Sequence, residues 1–204
     1  MRGLYAIVDP DACAGRDPER VAAGILAGGC ARLQLRAKAG TDSRRLALAH
    51  RIRARCAVAG VSFVMNDRPD LAVLCRADAL HLGQDDLRVA DARRIVGAME
   101  IGRSSHDEAQ ATAVADAGAD VLAFGPVFET TSKANPDPVV GIDRLRAVCE
   151  ASPLPVVAIG GLTVDRAVAV KEAGARWGAA IGALCGAEDP EAAARALHYS
   201  LGGA

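Results

Sequence analysis

The chain has 204 residues, of which 51% are hydrophobic and 24% are charged, and its formal net charge is −1. This composition is typical of a folded globular protein and excludes disordered and collagen-like chains. The near-neutral charge and the aromatic content of 3% argue against a nucleic-acid-binding surface. The apolar runs are too short to predict a membrane span or a signal peptide.

The six cysteines lie far apart in the chain and form no C-x-x-C pair: Cys13, Cys30, Cys56, Cys75, Cys149 and Cys185. This spacing does not predict a zinc site or a disulfide framework. We expect the cysteines to pack as small apolar side chains and to remain reduced. Reduced cysteines are typical of proteins in a reducing compartment, so we expect a cytoplasmic location.

Short apolar segments alternate with longer amphipathic ones from one end of the chain to the other. Helices are predicted to start near Asp17, Asp42 and Asp189, and glycines at helix C-caps are predicted at positions 60, 118 and 174. The segments predicted as strands are 4–9, 32–36, 61–66, 79–82, 101–104, 120–124, 155–159 and 177–181. Eight strand–helix units predict a single (β/α)8 TIM barrel over residues 1–204, with a doubly wound open sheet as the alternative.

The connection from Gly125 to Gly141 has three prolines and no helical periodicity. A loop of this length in a compact domain is typical of a functional segment such as a lid. The alternative is a solvated insertion.

Polar residues follow several of the predicted strands, at the end of a barrel where active sites lie. In the second strand, alternation predicts that Gln34 and Arg36 point into the barrel while Leu33 and Leu35 face the helices. An inward arginine is costly unless it meets an anion. The polar residues after the next three strands are Asn66, Asp67, His81, Gln84, Asp85, Asp86, Ser104, Ser105 and His106.

Lysine is rare, with three residues against 21 arginines. Lys38 and Lys133 fall at the predicted barrel mouth, which indicates phosphate binding, whereas Lys171 falls within a helix. Asp67 and Asp86 supply the two oxygen ligands typical of a Mg²⁺ site completed by water and phosphate. Together these charges predict a pyrophosphate site.

Purely structural roles for the same residues stay open. The arginine and the aspartates can form structural ion pairs, and Asp67 can cap the following helix. His81 can orient backbone, and His106 can hydrogen-bond locally. Gly160 and Gly161 after the seventh strand, with Gly182 after the eighth, predict a second anion site built from backbone N–H groups.

Several motifs stand in order along the chain: LYAIVD, LQLRAK, NDRPDLA, HLGQDD, IGRSSH, GPVFETTSK, AIGGL and GAAIGAL. Together they resemble the thiamine phosphate synthase family over nearly the whole chain. The resemblance implies a (β/α)8 barrel enzyme that requires Mg²⁺. It implies that 4-amino-2-methyl-5-hydroxymethylpyrimidine pyrophosphate is joined to a thiazole phosphate, giving thiamine phosphate and pyrophosphate.

The resemblance also implies roles for individual residues. Asp67 and Asp86 match the magnesium ligands, and Ser104, Lys133 and Arg36 match residues that act on the reacting groups. The full set of implied substrate contacts is Gln34, Arg36, Lys38, Asn66, Ser104, Thr130, Ser132, Lys133, Gly161, Ile181 and Gly182. Gln84 belongs to one of these motifs as a supporting residue.

The chain departs from the family pattern at three positions. Ala37 stands where glutamate is common, Glu129 stands where the loop usually has proline, and Gly182 replaces a usual serine, which leaves a backbone contact. The alternatives are a thiazole tautomerase of the same fold, with His106 near its histidine position, and a non-catalytic phosphate-binding barrel. No nucleic acid or membrane partner is expected, and a homo-oligomer is compatible with the sequence.

Overall fold

The computed structural model describes residues 2–130 and 137–204 of the chain. The strands in these ranges are β1 (Gly3–Val8), β2 (Arg32–Leu35), β3 (Ser62–Asn66), β4 (Ala79–Leu82), β5 (Glu100–Ser105), β6 (Val121–Phe124), β7 (Val156–Ile159) and β8 (Trp177–Ala180). The helices are α1 (Pro18–Gly28), α2 (Asp42–Ala59), α3 (Pro69–Leu74), α4 (Val89–Val96), α5 (Glu108–Asp116), α6 (Gly141–Ala151), α7 (Val164–Glu172), α8 (Gly182–Cys185) and α9 (Pro190–Ser200). A short 3₁₀ helix, Pro10–Cys13, follows β1.

The strands form a closed parallel barrel in which each strand pairs with its neighbours in chain order and β8 pairs with β1. The predicted (β/α)8 barrel is confirmed, and the open doubly wound sheet is wrong. Each strand boundary lies within one residue of its prediction. Asp9, Arg36 and Ile181 were predicted as strand ends but lie just beyond β1, β2 and β8.

The helix caps follow the local sequence closely. The side chains of Asp17 and Asp189 accept hydrogen bonds from the first turns of α1 and α9, as predicted. At α2 the cap is Thr41 rather than Asp42, because the threonine hydroxyl accepts the hydrogen bond of Arg44 N. Gly60 caps the end of α2, whereas Gly118 and Gly174 each lie one residue beyond the cap of their helix.

Two apolar cores share the strands. One lies between the barrel and its helices and includes Leu33 and Leu35. The other fills the barrel, and its members are Tyr5, Ile7, Val64, Ala79, Val121, Ala123, Val157, Trp177 and Ala179. At the amino-terminal ends of the strands, Arg32 pairs with Glu100 and stacks on Trp177 at 4.3 Å. The polar residues predicted to follow the strands lie at the opposite, carboxyl ends.

The six cysteines are free thiols, and all except the half-buried Cys149 are buried. Burial raises the pKa of Cys30, Cys56 and Cys185 to about 12, so these thiols stay protonated. They pack as small apolar side chains, as the sequence predicts. Within the described ranges, no helix is both long enough and apolar enough to cross a bilayer.

His198 joins the last helix to the first strand. Its imidazole is buried, and Nδ1 accepts a hydrogen bond from the backbone N–H of Leu4 at 3.1 Å. Burial lowers the pKa of His198, because the charged ring loses its hydration. Its ring packs against Gly3 and Gly203, where a Cβ would come within 2.5 Å of it. This histidine is structural.

Candidate active site

A cavity of about 870 Å³ opens at the carboxyl ends of the strands. Most of the residues singled out in the sequence line it: Gln34, Arg36, Lys38, Asn66, Asp67, Ser104, Thr130, Gly161, Ile181 and Gly182. Asp86 is not among the lining residues but contacts Asp67, which is. Ser132 and Lys133 lie outside the described residues. The barrel therefore brings together side chains that are up to about 150 positions apart in the sequence.

Gln34 points into the barrel, as alternation along β2 predicts. Its side chain is buried, and Nε2 donates a hydrogen bond to Tyr5 Oη at 2.9 Å. Burial raises the pKa of Tyr5 far above its usual range, so the phenol stays neutral. Tyr5 was missed by sequence reasoning, although alternation along β1 would have placed it inside the barrel.

The anionic partner of Arg36 is a residue of the same chain. The guanidinium pairs with the carboxylate of Asp9, a buried residue just after β1. The other oxygen of Asp9 accepts the backbone N–H of Asp11 at 3.0 Å, which fixes the carboxylate. Asp9 was also missed, since nothing in the sequence shows which residue of a neighbouring strand will meet Arg36.

Lys38 and Asp86 each contact Asp67. Lys38 pairs with Asp67, and Asp86 accepts the backbone N–H of Gly83 at 2.6 Å. Burial and the adjacent carboxyl of Asp67 raise the pKa of Asp86. We call Arg36, Lys38, Asp67 and Asp86 the charged cluster.

Asp67 has an unusual backbone, with a φ of +63°. It is one of only a few described non-glycine residues in the left-handed region, which such residues rarely adopt. The alternative interpretation that it caps the next helix is wrong. The residue at the N-cap of α3 is Arg68, which makes no side-chain cap, and the carboxylate of Asp67 turns to Lys38 instead.

The paired carboxyls of Asp67 and Asp86 fit a hard divalent cation. No group of three or more potential ligands occurs among residues 2–130 and 137–204. Two carboxylates nevertheless suit Mg²⁺, which takes its other ligands from water and phosphate. Burial and then the neighbouring Asp67 raise the pKa of Asp86, and a cation held by the two carboxylates would offset their repulsion.

Ser104 is held from two sides. Its hydroxyl is hydrogen-bonded to His81 Nε2 at 2.9 Å, and its carbonyl oxygen accepts a hydrogen bond from Gln84 Nε2. Gln84 thus contacts the backbone of Ser104, which is compatible with the supporting role expected of it. His81 contacts a cavity side chain through its Nε2.

His106 also borders the cavity, and its ring contacts both flanks of the connection between β6 and α6. Nδ1 donates to the carbonyl oxygen of Gly125 at 2.5 Å, and Nε2 lies 3.4 Å from an oxygen of Asp137. Both ring contacts are with residues distant in the sequence, and the local hydrogen bond of His106 is the one that its backbone N–H donates to Gln110 Oε1 at 2.9 Å.

The opposite side of the cavity consists mainly of backbone. The pairing of Ile159 with Ala179 places the ends of β7 and β8 next to each other. Gly160 and Gly161 have φ values of +104° and +63°. A Cβ on Gly161 would lie 2.2 Å from the carbonyl oxygen of Glu129, so this position has no room for a side chain. We call Gly160, Gly161 and Gly182 the glycine rim.

Arg166, in the first turn of α7, is a further cavity residue that sequence reasoning missed. Its Nη1 donates to the carbonyl oxygen of Gly161 at 2.6 Å. Its guanidinium carbon lies 4.7 Å from the centre of the Phe128 ring. It belongs to none of the motifs, and the one available signal is that a cation follows the glycine pair by five residues.

A closed parallel barrel with charged side chains and glycine turns around one mouth is the arrangement of (β/α)8-barrel enzymes that bind phosphorylated substrates. The sequence profile of the thiamine monophosphate synthase family matches residues 4–184. The chain belongs to this family. It is an enzyme of thiamine biosynthesis, and its family is one of transferases.

Individual relatives agree with this assignment. The thiamine-phosphate synthase of Anaeromyxobacter dehalogenans is 43% identical over 202 residues, which cover 98% of this chain and 88% of that protein. The bifunctional thiamine biosynthesis protein ThiM/ThiE of Symbiobacterium thermophilum is 44% identical over 195 residues. The match covers 95% of this chain but only 40% of that longer protein. The structure of thiamine phosphate pyrophosphorylase from Pyrococcus furiosus superimposes with a TM-score of 0.90 at 30% identity, covering 98% of this chain and 95% of that one.

Proposed function

We propose that this chain joins 4-amino-2-methyl-5-hydroxymethylpyrimidine pyrophosphate to a thiazole phosphate, giving thiamine phosphate and pyrophosphate. The observation that carries the proposal is the charged cluster, in which Asp67 contacts both Lys38 and Asp86 at the mouth of the barrel and Arg36 lines the same cavity. A cavity that only binds phosphate has no need of adjacent carboxylates. The glycine rim on the opposite side supports a second phosphorylated substrate.

The pyrimidine substrate lies against the ends of β2 and β3 in this proposal. Gln34 binds the ring, and its amide is held for this purpose by Tyr5. Arg36, Lys38 and Asn66 bind the pyrophosphate. Thr130, Ser132 and Lys133 are assigned to the same group by the family resemblance.

Asp67 and Asp86 would hold Mg²⁺, which when bound neutralises negative charge on the pyrophosphate. Without it, the two carboxylates would repel the same group. Lys38 compensates part of their charge, because its ammonium pairs with Asp67.

The reaction is a substitution at the methylene carbon of the pyrimidine. The bond from this carbon to oxygen breaks, and the electron pair leaves with pyrophosphate. The resulting cation is stabilised by the ring amino group, and the thiazole nitrogen then forms the new carbon–nitrogen bond. Arg36, Lys38 and Lys133 stabilise the departing charge, where one such contact typically lowers the barrier by about 2–4 kcal/mol.

The cavity walls protect this cation from water. Ile7, Val157 and Ile159 line the cavity beneath the polar groups. Ser104, positioned by His81 and Gln84, lies beside the reacting atoms. Holding both substrates in one cavity supplies the remaining rate acceleration through proximity.

At the glycine rim, the thiazole phosphate is bound through backbone N–H groups of Gly161, Ile181 and Gly182. Gly182 offers no hydroxyl to this phosphate, so other groups must complete the contact. All six cysteines are free thiols, which supports a cytoplasmic location.

The test is an assay with both substrates, with and without Mg²⁺, that follows pyrophosphate release and thiamine phosphate formation. We expect release that requires the metal and both substrates. Metal-independent isomerisation of a carboxylated thiazole phosphate would contradict the proposal and favour a tautomerase. Phosphate binding without either reaction would favour a non-catalytic barrel.

A further inference from the structure

The cations that line the described part of the cavity differ in whether a carboxylate neutralises them. Arg36 pairs with Asp9, and Lys38 pairs with Asp67. Arg166 lines the same cavity, and no carboxylate of residues 2–130 or 137–204 lies within ion-pair distance of it. Its positive charge is therefore uncompensated by the described residues, at the side of the cavity where backbone predominates.

Two contacts fix the guanidinium of Arg166 at this place. One N–H donates to the carbonyl oxygen of Gly161 at 2.6 Å, and one face stacks on Phe128 at 4.7 Å. A guanidinium carries five N–H donors in a planar fork, so the contact with Gly161 leaves donors for a ligand. Stacking and anchoring also reduce the rotamer entropy that binding an anion would otherwise cost.

The neighbouring residues give this cation its chemical context. Gly160 and Gly161 lie in the turn that Arg166 contacts, and Gly182 follows the adjacent strand. Glycine lets a ligand approach the backbone closely but contributes no charge. A phosphate monoester at the glycine rim carries nearly two negative charges, and Arg166 is the described cation anchored to this rim.

We propose that Arg166 binds the phosphate group of the thiazole substrate and makes the enzyme select a phosphorylated acceptor over the free alcohol. The guanidinium supplies the charge and side-chain donors that Gly182 does not. This inference rests on the proposed function for the identity of the acceptor. The presence of an uncompensated cation at the glycine rim is independent of that identity.

A purely structural role would have a different signature. If Arg166 only held Phe128 against Gly161, its loss would weaken phosphorylated and unphosphorylated acceptors equally. Phe128→Leu removes the stacking partner without removing the charge, which separates the two roles. Arg88→Gln is the matched control, because Arg88 is a largely exposed arginine paired with Asp91 outside the cavity.

The experiment measures binding of the thiazole phosphate and of the thiazole alcohol by calorimetry, with pyrophosphate and Mg²⁺ present to occupy the other side of the cavity. In Arg166→Gln, we expect the affinity for the phosphate ester to fall about 10- to 100-fold, the range for a charge-assisted hydrogen bond. The affinity for the alcohol should change less than about twofold, and Arg166→Lys should restore part of the loss. Arg88→Gln and Phe128→Leu should keep the preference for the ester.

An equal loss for both acceptors, or an unchanged preference in Arg166→Gln, would overturn the inference. If the wild-type protein binds neither acceptor, the proposed function is wrong, and inorganic phosphate becomes the probe. Thermal stabilisation by phosphate in the wild-type protein and its loss in Arg166→Gln would then support the role of Arg166. Equal stabilisation in both proteins, or none in the wild-type protein, would refute it.

Discussion

The two sides of the cavity present different groups to a ligand. At the ends of β2, β3 and β4, the charged cluster presents two cations that already have carboxylate partners, Arg36 with Asp9 after β1 and Lys38 with Asp67. At the ends of β7 and β8, the glycine rim presents backbone, accompanied by one arginine without a described carboxylate partner. One side is built from long, charged side chains and the other from turns that exclude side chains.

This difference matches what each side has to do in the proposed reaction. A leaving pyrophosphate gains charge as its bond breaks, so its site needs cations and a metal whose pairing can be redistributed. The phosphate of the acceptor does not change charge during the reaction. A rigid backbone cradle with one arginine is sufficient to hold it.

The largest effect is expected from Asp67→Asn in the charged cluster. Asparagine tolerates a positive φ, so the fold should persist, but the negative charge shared with Lys38 and Asp86 is lost. We expect turnover to fall about 100- to 1000-fold. Steady-state assays over a range of Mg²⁺ concentrations should show a raised metal requirement.

Asp85→Asn is the matched control, because Asp85 is an exposed neighbour of Asp86 that does not line the cavity. Its activity should be close to that of the wild-type protein. Circular dichroism checks that both variants are folded. A folded Asp67→Asn enzyme with normal turnover would contradict a role of the charged cluster in the reaction. The proposed difference in task between the two sides of the cavity would then fail.

Gly161→Ala tests the glycine rim and should have the next largest effect. The added Cβ would lie 2.2 Å from the carbonyl oxygen of Glu129, so the turn must shift. We expect the KM for the thiazole phosphate to rise at least about tenfold, which corresponds to about 1.4 kcal/mol. The KM for the pyrimidine substrate should change little.

Gly60→Ala separates the clash from backbone strain. Gly60 has a similar φ of +67°, and a Cβ there would meet no atom within 4 Å. This variant should lose about 1 kcal/mol of stability and keep its kinetics. If Gly161→Ala behaves in the same way, the close approach at the rim has no role in binding.

The smallest expected effect is on the pH dependence of stability, and it concerns His198, which does not line the cavity. The folded state lowers the pKa of this histidine, so below about pH 6.5 the unfolded chain binds a proton that the folded chain does not. The free energy of unfolding should therefore fall as the pH drops below about 6.5, with a slope of at most about 1.4 kcal/mol per pH unit from this group.

Urea denaturation at pH 8 and at lower pH, on the wild-type protein and His198→Asn, measures this slope. Asparagine can still accept the N–H of Leu4 but does not titrate, so the variant should show a shallower slope. His50→Asn, at an exposed position of α2, should retain the wild-type slope. Equal slopes in all three proteins would contradict the assignment of the pH dependence to His198.

The sequence was sufficient to predict the barrel and to place most of the singled-out polar residues at the cavity. Alternation within β2 placed Gln34 inside and Leu33 outside, because the side-chain period of a strand is fixed. The carboxyl ends of parallel strands meet at one face, which brought Asp67 and Asp86 together. These inferences depend only on local periodicity and on the closure of the barrel.

The partners of these residues could not be predicted in the same way. Asp9 meets Arg36 only because β1 and β2 pair in one particular register. Arg166 reaches the cavity because α7 begins directly after the glycine turn and Phe128 supports its guanidinium. Contacts of this kind depend on how separate elements pack, and periodicity within each element does not contain that information.

The backbone conformation of Asp67 lowers the stability of the fold at a residue that the proposed reaction requires. A φ of +63° costs a non-glycine residue about 1 kcal/mol, and glycine would adopt it freely. A selection for thermal stability alone would thus favour Asp67→Gly, while the resulting protein would lack one of the two carboxylates proposed to hold the metal. Any programme of stabilisation for this enzyme has to score turnover alongside melting temperature, because the two criteria favour different residues at this position.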